Sequence, residues 1–180
     1  MASPATTALV ILVPEVEALV KAFRDQYDPA AAEGMPAHVT VLYPFKNLEH
    51  IGADVVAALH SLFSRHPCFR FALGTLQRFP TVLSLAPHPA TPFQALTRAV
   101  ADRYPETPPY GGAFADGAPH LTIAHVNDAQ RLDEVSDAFQ RAAGGRLPIR
   151  GYAERVWLMA QHAGRWSPQR AFALARMQGP

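Results

Sequence analysis

Two short segments of the chain, residues 36–41 and 118–123, follow the same pattern of residue types. Each contains a proline and then reads histidine, apolar, threonine, apolar. Side chains alternate between the two faces of a β-strand, so each histidine shares a face with its threonine while the apolar residues cover the other face. Core packing alone gives no reason for such a polar face. The repeat therefore favours a chain built from two related parts, each contributing one of these strands.

The order of the predicted elements supports this two-part organisation, because loop, His-x-Thr strand, helix and antiparallel pair occur twice. We predict strands at residues 7–13, 38–45, 68–78, 81–87, 120–126, 149–161 and 170–175, and helices at 14–27, 48–66, 93–104 and 132–143. Residues 105–119 form a long loop rich in proline and glycine, which is typical of a functional or mobile segment. The expected fold is one α+β domain over residues 1–180, with two related lobes of antiparallel sheet and flanking helices.

The composition is that of an ordinary globular protein, with 49% hydrophobic and 17% charged residues. The single cysteine, Cys68, excludes an internal disulfide and a cysteine-based zinc cluster. The apolar run at residues 8–13 is far shorter than the ~20 residues of a membrane-spanning helix. It also lacks the basic lead-in of a signal peptide. We expect a cytoplasmic protein with no membrane association and no obligate protein partner.

His38, His120, Thr40 and Thr122 are the candidate catalytic residues. Opening a cyclic phosphodiester needs a base that deprotonates water or a hydroxyl and an acid that protonates the departing alkoxide. Histidine titrates near neutral pH and can fill either role. Threonine hydroxyls can donate hydrogen bonds to the phosphate oxygens that carry negative charge in the transition state. This arrangement requires no metal and no cofactor, and it leaves open which histidine is the acid.

The paired segments His38-Val39-Thr40-Val41 and His120-Leu121-Thr122-Ile123 resemble the two motifs of the 2H phosphoesterase superfamily, which includes 2′-5′ RNA ligase-like proteins and cyclic nucleotide phosphodiesterases. The resemblance implies a bilobal fold with pseudo-twofold symmetry and both motifs facing a central cleft. It also implies metal-independent action on a cyclic phosphate or a 2′-5′ phosphodiester, in a nucleotide or at an RNA end. The motif is short, so it identifies the superfamily far better than the substrate.

Further residues are candidates for substrate binding. Tyr110 and Phe114 lie in the glycine-rich loop before His120, where they either stack on a base or anchor the loop. The last forty residues carry seven arginines and one glutamate, whereas residues 1–140 have a net charge of −5. A basic segment attracts phosphate, and Arg150, Arg155 and Arg170 lie in or beside the last predicted strands. If one of these strands pairs beside the second His-x-Thr strand, it brings an arginine to the rim of the cleft. The alternative is a solvated surface.

Other sites and functions are less favoured. His125 follows His120 by five residues and so faces away from it on a regular strand, and the pair lacks a helical zinc pattern. Tyr43 shares the face of the apolar residues and is expected in the core. The chain has neither the Gly-x-Ser-x-Gly elbow of a serine hydrolase nor a phosphate-binding Gly-x-x-x-x-Gly-Lys loop. The remaining alternatives are a non-catalytic RNA- or nucleotide-binding module and an RNA ligase that runs the reverse reaction.

Overall fold

The computed structural model of the chain describes residues 5–112 and 117–176. The strands in these ranges are β1 (Thr6–Leu12), β2 (His38–Leu42), β3 (Phe69–Arg78), β4 (Val82–His88), β5 (Leu121–His125), β6 (Ile149–Ala153), β7 (Arg155–His162) and β8 (Arg165–Ala173). The α-helices are α1 (Glu17–Tyr27), α2 (Pro29–Ala32), α3 (Ala53–Phe63), α4 (Thr91–Arg103) and α5 (Ala129–Ala143). No helix among the described residues is both long and apolar enough to cross a membrane.

The strands form two antiparallel sheets of four strands, in the orders β2-β1-β7-β8 and β5-β4-β3-β6. Each His-x-Thr segment therefore contributes an edge strand to its own sheet. The hairpin that follows each motif strand joins the other sheet: β3–β4 pairs with β5, and β7–β8 pairs with β1. The predicted α+β fold of two related lobes is confirmed. The lobes are interwoven along the chain and do not correspond to consecutive halves of it.

Two helices cover one face of each sheet. Helices α3 and α4 contact the first sheet, and α1 and α5 contact the second. Helix α5 buries Leu132, Val135 and Phe139 at helical spacing, and the Phe139 ring meets Phe23 of α1 edge-on at 5.4 Å between centroids. Burial of one such side chain contributes about 1.5–3 kcal/mol. Because the helices occupy the apolar faces, the opposite faces of the two sheets remain available for the histidines and threonines.

Two predicted elements differ in the structure. The predicted helix over residues 48–66 is a 3₁₀ turn (Leu48–His50) followed by α3, which begins after Gly52. The predicted strand over residues 149–161 is two strands, β6 and β7, which separate at Glu154 and enter different sheets. Gly151 of β6 packs so tightly on Phe71 of β3 that a Cβ there would lie 2.4 Å from the ring. This close contact places β6 beside β3, while β7 continues to β1.

Candidate active site

The first His-x-Thr pair lies on β2. In the β1–β2 ladder, His38 faces Leu12 and Thr40 faces Val10. Between them, Val39 is fully buried and points into the core. The alternation predicted from the sequence is therefore present, with one apolar face and one face that carries the imidazole and the hydroxyl.

The second pair lies at β5. His120 immediately precedes this strand, and Thr122 faces Ser84 across the β4–β5 ladder. Ser84 in turn faces Gln77 on β3, so a row of polar side chains crosses the second sheet. The Ser84 hydroxyl and the Gln77 carbonyl oxygen are buried without a hydrogen-bond partner among the described residues. Sequence reasoning did not identify this row, because it depends on the strand register.

The two motif strands lie next to each other. Each lies at the edge of its sheet, and β2 and β5 contact each other. The charge of His120 is close enough to His38 to act on its pKa. The structure thus brings the two His-x-Thr strands into contact, and a single cleft shared by His38, Thr40, His120 and Thr122 stays a prediction.

Both imidazoles are held by the same backbone contact. The Nδ1 atom of His38 lies 2.8 Å from the carbonyl oxygen of Pro36, and the Nδ1 atom of His120 lies 2.9 Å from that of Ala118. A carbonyl oxygen only accepts hydrogen bonds, so Nδ1 carries the proton in each ring. In the neutral form of either ring, the Nε2 atom then has a free lone pair. Each histidine can accept a proton at Nε2 when neutral and donate one from the same atom when charged.

The surroundings of His38 favour its neutral form. Burial lowers the pKa of His38 from 6.5 to about 4, and the hydrogen bond to Pro36 opposes part of this shift. Arg24 and Asp28 also act on His38 with opposite signs. These two residues form a buried ion pair, in which Nη2 of Arg24 lies 2.9 Å from Oδ2 of Asp28. Their spacing of four residues in the sequence indicates a helical pair but carries no sign that it lies near the site.

His120 has an aromatic neighbour. The Phe79 ring lies 6.1 Å from the imidazole at an angle of 53°, and 41% of its surface is exposed. The prediction for His125 is wrong in its geometry. The β4–β5 ladder skips Ile123, so His125, which faces Val82, lies on the same face as Thr122. A β-bulge of this kind shifts the alternation by one residue and cannot be read from the residue spacing.

Tyr110 contacts the first motif directly. Its side-chain hydroxyl is hydrogen-bonded to Thr40, and burial raises the pKa of this tyrosine. Its backbone has φ 51° and ψ 35°, the left-handed conformation that is unusual for a residue other than glycine. The other aromatic candidate in this loop, Phe114, lies outside the described residues.

Tyr43 lies at the site and not in the core, contrary to the sequence prediction. It follows the last residue of β2, and 36% of its surface is exposed. The ring lies edge-on to Trp166 of β8, with centroids 6.1 Å apart. The alternation of β2 does not continue past Leu42, and for that reason the strand pattern misplaced this residue.

Two cavities adjoin the motif residues, and Thr40 lines both. The smaller, of about 220 Å³, is bordered by His38, Tyr43, Met35 and Trp166. The larger, of about 380 Å³, lies between α4 and residues within 108–112 and 117–119. These cavities give a bound molecule room on two sides of Thr40.

Arg155 lies on the site face of the first sheet. It precedes Trp157 by two residues on β7, and Trp157 faces Val10, the residue that Thr40 also faces. Strand alternation then places Arg155 on the face that bears His38 and Thr40.

The other two predicted arginines lie farther away. Arg170 of β8 faces the buried Leu158 and so belongs to the opposite face of the first sheet. Arg150 lies on β6, at the edge of the second sheet remote from β5. The strand pairing that would have brought an arginine beside β5 does not occur, because β5 pairs with β4. A substrate contact by Arg150, Arg155 or Arg170 stays a prediction.

The described residues contain no group of three or more His, Cys, Asp or Glu side chains that could hold a metal ion. The zinc interpretation of His120 and His125 therefore has no third ligand among these residues. The polar groups at the site are imidazoles, hydroxyls and, in the smaller cavity, the side chains of Glu33 and Gln161, with guanidinium groups at its edges.

Comparisons with known proteins agree with this fold. The model of the 2′-5′ RNA ligase superfamily matches residues 12–165. E. coli LigT, solved in complex with 3′-AMP, is 17% identical with a TM-score of 0.64, over 98% of this chain and 100% of that chain. A crystal structure of a phosphoesterase is 18% identical with a TM-score of 0.63, over 96% and 99%. TT0787 of Thermus thermophilus is 14% identical with a TM-score of 0.60, over 96% and 100%. No curated protein matches the chain.

The solved structures are less than 25% identical to the chain, so they establish its fold. The family model spans most of the sequence and includes both His-x-Thr segments. The chain therefore belongs to the 2′-5′ RNA ligase superfamily, a group of 2H phosphoesterases and RNA ligase-like enzymes.

Proposed function

We propose that the protein is a metal-independent phosphodiesterase that opens a cyclic phosphate, or cleaves a 2′-5′ phosphodiester, by acid–base catalysis between two histidines. One observation carries the proposal. On two contacting strands, His38 and His120 each donate Nδ1–H to the carbonyl two residues earlier, which leaves both Nε2 atoms available for proton transfer. A binding module has no need for two imidazoles held in the same tautomer.

His38 is the base in this reaction and His120 is the acid. The lowered pKa of His38 keeps it neutral near pH 7, and a positive charge on His120 lowers it further. Nε2 of His38 takes a proton from water as the water oxygen bonds to phosphorus. The bond from phosphorus to one ribose oxygen breaks, and Nε2–H of His120 protonates that oxygen. The product is a phosphomonoester, and proton exchange with solvent restores both rings.

The threonines stabilise the charge that builds up on the phosphate. Hydroxyls of Thr40 and Thr122 approach from opposite strands and can each donate to a non-bridging oxygen. The hydrogen bond between Tyr110 and Thr40 fits this role, because it fixes the position of the threonine side chain. The catalytic set is therefore His38, His120, Thr40 and Thr122.

The substrate is a nucleotide or an RNA end. E. coli LigT has been solved with 3′-AMP and with ATP, which supports a nucleotide in the related cleft of this chain. The smaller cavity offers the rings of Tyr43 and Trp166 and the thioether of Met35 beside His38. Aromatic rings of this kind bind nucleobases by stacking. A cytoplasmic location, a single domain over residues 1–180 and the lack of an obligate protein partner stay predictions from the sequence.

The experiment is an assay of purified, chelator-treated protein against 2′,3′-cyclic nucleotides and 2′-5′-linked oligomers. We expect hydrolysis that survives chelation and is lost in His38→Ala and His120→Ala. Activity that disappears with chelator and returns with a divalent cation would contradict metal independence. Binding of nucleotides without turnover of any of these substrates would favour the binding module. Joining of RNA ends without hydrolysis would favour the ligase.

A further inference from the structure

The larger cavity is not used by the proposed reaction. Its volume of about 380 Å³ is within the usual range for small-molecule sites. It opens at Thr40 but is not lined by either catalytic histidine. A molecule whose reacting phosphate lies at Thr40 could therefore extend a further unit into this space.

One wall of the cavity is the polar side of helix α4. Gln94 and Arg98 are one helical turn apart and both line the cavity. No carboxylate among the described residues forms an ion pair with Arg98. The hydroxyl of Thr97 donates to the carbonyl of Val41 at 2.8 Å and so holds the helix against β2. No described carboxylate neutralises the guanidinium of Arg98. This side chain lies on a helix that is held next to the first motif.

The opposite wall is formed by residues within 108–112 and 117–119. Pro108, Pro109 and Pro119 line it, and proline rings restrict the backbone. The Tyr110 N–H donates to the Tyr43 carbonyl at 2.7 Å, which attaches the loop to the end of β2. These contacts hold helix α4 and the backbone at Tyr110 in place before a ligand binds, which limits the entropy lost on binding.

The two cavities differ in charge. Among the described residues, the smaller one is lined by Glu33 and by no lysine or arginine, whereas the cation of the larger one is Arg98. A second phosphate avoids a carboxylate and is attracted to a guanidinium, which can form two parallel hydrogen bonds with it. A nucleobase has no such preference and fits beside the aromatic rings.

From these observations we infer that the larger cavity is a subsite for a second phosphate, bound by the guanidinium of Arg98 and the side-chain amide of Gln94. The inference rests on the proposed function and narrows its substrate class. The preferred substrate is then an oligonucleotide end that carries one further phosphodiester, and a cyclic mononucleotide lacks this contact. The role that the sequence suggested for the C-terminal arginines is assigned to Arg98.

The test compares a 2′,3′-cyclic mononucleotide with a dinucleotide that ends in the same cyclic phosphate. Arg98→Met keeps the aliphatic length of the side chain and removes its charge. We expect KM for the dinucleotide to rise roughly tenfold, at the low end of the contribution of a charge-assisted hydrogen bond. KM for the mononucleotide should stay within about twofold, and kcat should stay constant on both. The preference of the wild type for the dinucleotide should weaken with salt, while that of Arg98→Met should not.

Arg103→Met is the matched control. It removes the same charge from the same helix, but Arg103 lies over the Tyr104 ring at 5.1 Å and does not line the cavity. This variant should leave both substrates unaffected. Arg155→Met tests the rival arginine on the face of His38. If Arg155→Met raises KM for the dinucleotide and Arg98→Met does not, the inference is overturned. It is also overturned if Arg98→Met weakens both substrates equally.

The subsite can also be tested if the protein proves to have no hydrolytic activity. If the wild type turns over neither substrate, calorimetric titration with a dinucleotide 3′-phosphate and with a mononucleotide 3′-phosphate measures the subsite directly. Roughly tenfold weaker binding of the dinucleotide alone to Arg98→Met supports the subsite. Equal affinity in the variant and the wild type overturns it.

Discussion

The two His-x-Thr strands share a motif and a backbone contact, but their surroundings differ. His38 is partly buried on β2 next to the Arg24–Asp28 ion pair, and burial lowers its pKa to about 4. His120 precedes β5, and its aromatic neighbour is the exposed ring of Phe79. An identical motif in two environments can thus supply a neutral base on one side and an acid on the other.

The difference begins in the segments that lead into the strands. The N–H of Ala37, just before β2, donates to the carboxylate of Glu17 at 2.5 Å. The carbonyl of the same residue accepts from the N–H of Val13 at 2.9 Å. Residues 117–119, which lead to His120, have no such contact in the hydrogen bonds between described residues. The start of the first motif is therefore held by Glu17 of α1, and α1 also supplies Arg24 of the buried ion pair.

The largest expected effect is loss of activity when either histidine is removed. His38→Ala and His120→Ala should each lower kcat by roughly 10² to 10⁴, the usual contribution of a positioned acid or base. Because both act in one step, the double variant should lose less than the product of the two effects. Kinetics on a 2′,3′-cyclic nucleotide measures this. A double variant as active as the wild type would place the chemistry elsewhere.

The buried ion pair should contribute more to stability than its exposed counterpart on the same helix. The side chains of Arg24 and Asp28 are 3% and 7% exposed, whereas those of Lys21 and Asp25, also four residues apart, are 66% and 52% exposed. Asp28→Asn leaves the arginine as an unpaired buried charge and should cost about 3–5 kcal/mol. An Asn at this position can still cap α2, so helix capping is not the cause.

Asp25→Asn is the control, and it should change the free energy of unfolding by about 0.5 kcal/mol or less. Urea denaturation of both variants measures the difference. Equal losses in the two would show that burial does not distinguish these pairs.

The pH dependence should separate the two histidines. A base acts in its neutral form, so the acidic limb of kcat/KM reports the pKa of His38 and should fall near pH 4. At pH 5, about 90% of such a histidine is neutral, compared with about 3% for a histidine with a pKa of 6.5. The pKa of His38 is lower in the folded protein than in the unfolded chain, so the unfolded chain binds a proton at this histidine more readily. His38 therefore increasingly destabilises the fold as the pH falls from 6.5 towards 4. A rate profile measured on protein shown by circular dichroism to be folded tests this. An acidic limb near 6.5 would assign the base role to another group.

The smallest effect concerns the threonine of the first motif. Tyr110→Phe removes the hydroxyl bonded to Thr40 and keeps the ring, so kcat should fall about 2- to 10-fold, the value of one neutral hydrogen bond. KM should not change, because the hydroxyl acts through Thr40. Tyr27→Phe, which removes a hydroxyl bonded to Arg131 on the surface, is the control and should leave kcat unchanged. A rise in KM with constant kcat would indicate that Tyr110 binds the substrate directly.

The sequence was sufficient for the local features of the site. The alternation of residues 38–41 and 120–123 predicted which side chains share a face, since that depends only on the extended backbone. Repetition of the pattern predicted the two related lobes, and the chemistry that His and Thr suggest stays a proposal. The sequence singled out Tyr110 as a residue that stacks on a base or anchors the loop, and a substrate contact by it stays a prediction.

Tertiary structure decided the features that depend on contacts between distant residues. The strand pairing exchanges the hairpins β3–β4 and β7–β8 between the lobes, and the register places a bulge at Ile123 that turns His125. Helix α1 and the residue after it bring Arg24 and Asp28 near His38, and α4 brings Arg98 to the cavity that Thr40 also lines. Backbone hydrogen bonds are the same for every residue, so the sequence is compatible with many strand pairings. Packing of the whole chain selects one of them. Burial and charge at a histidine arise from that packing, so the motif alone could not show that the pKa of His38 is lowered.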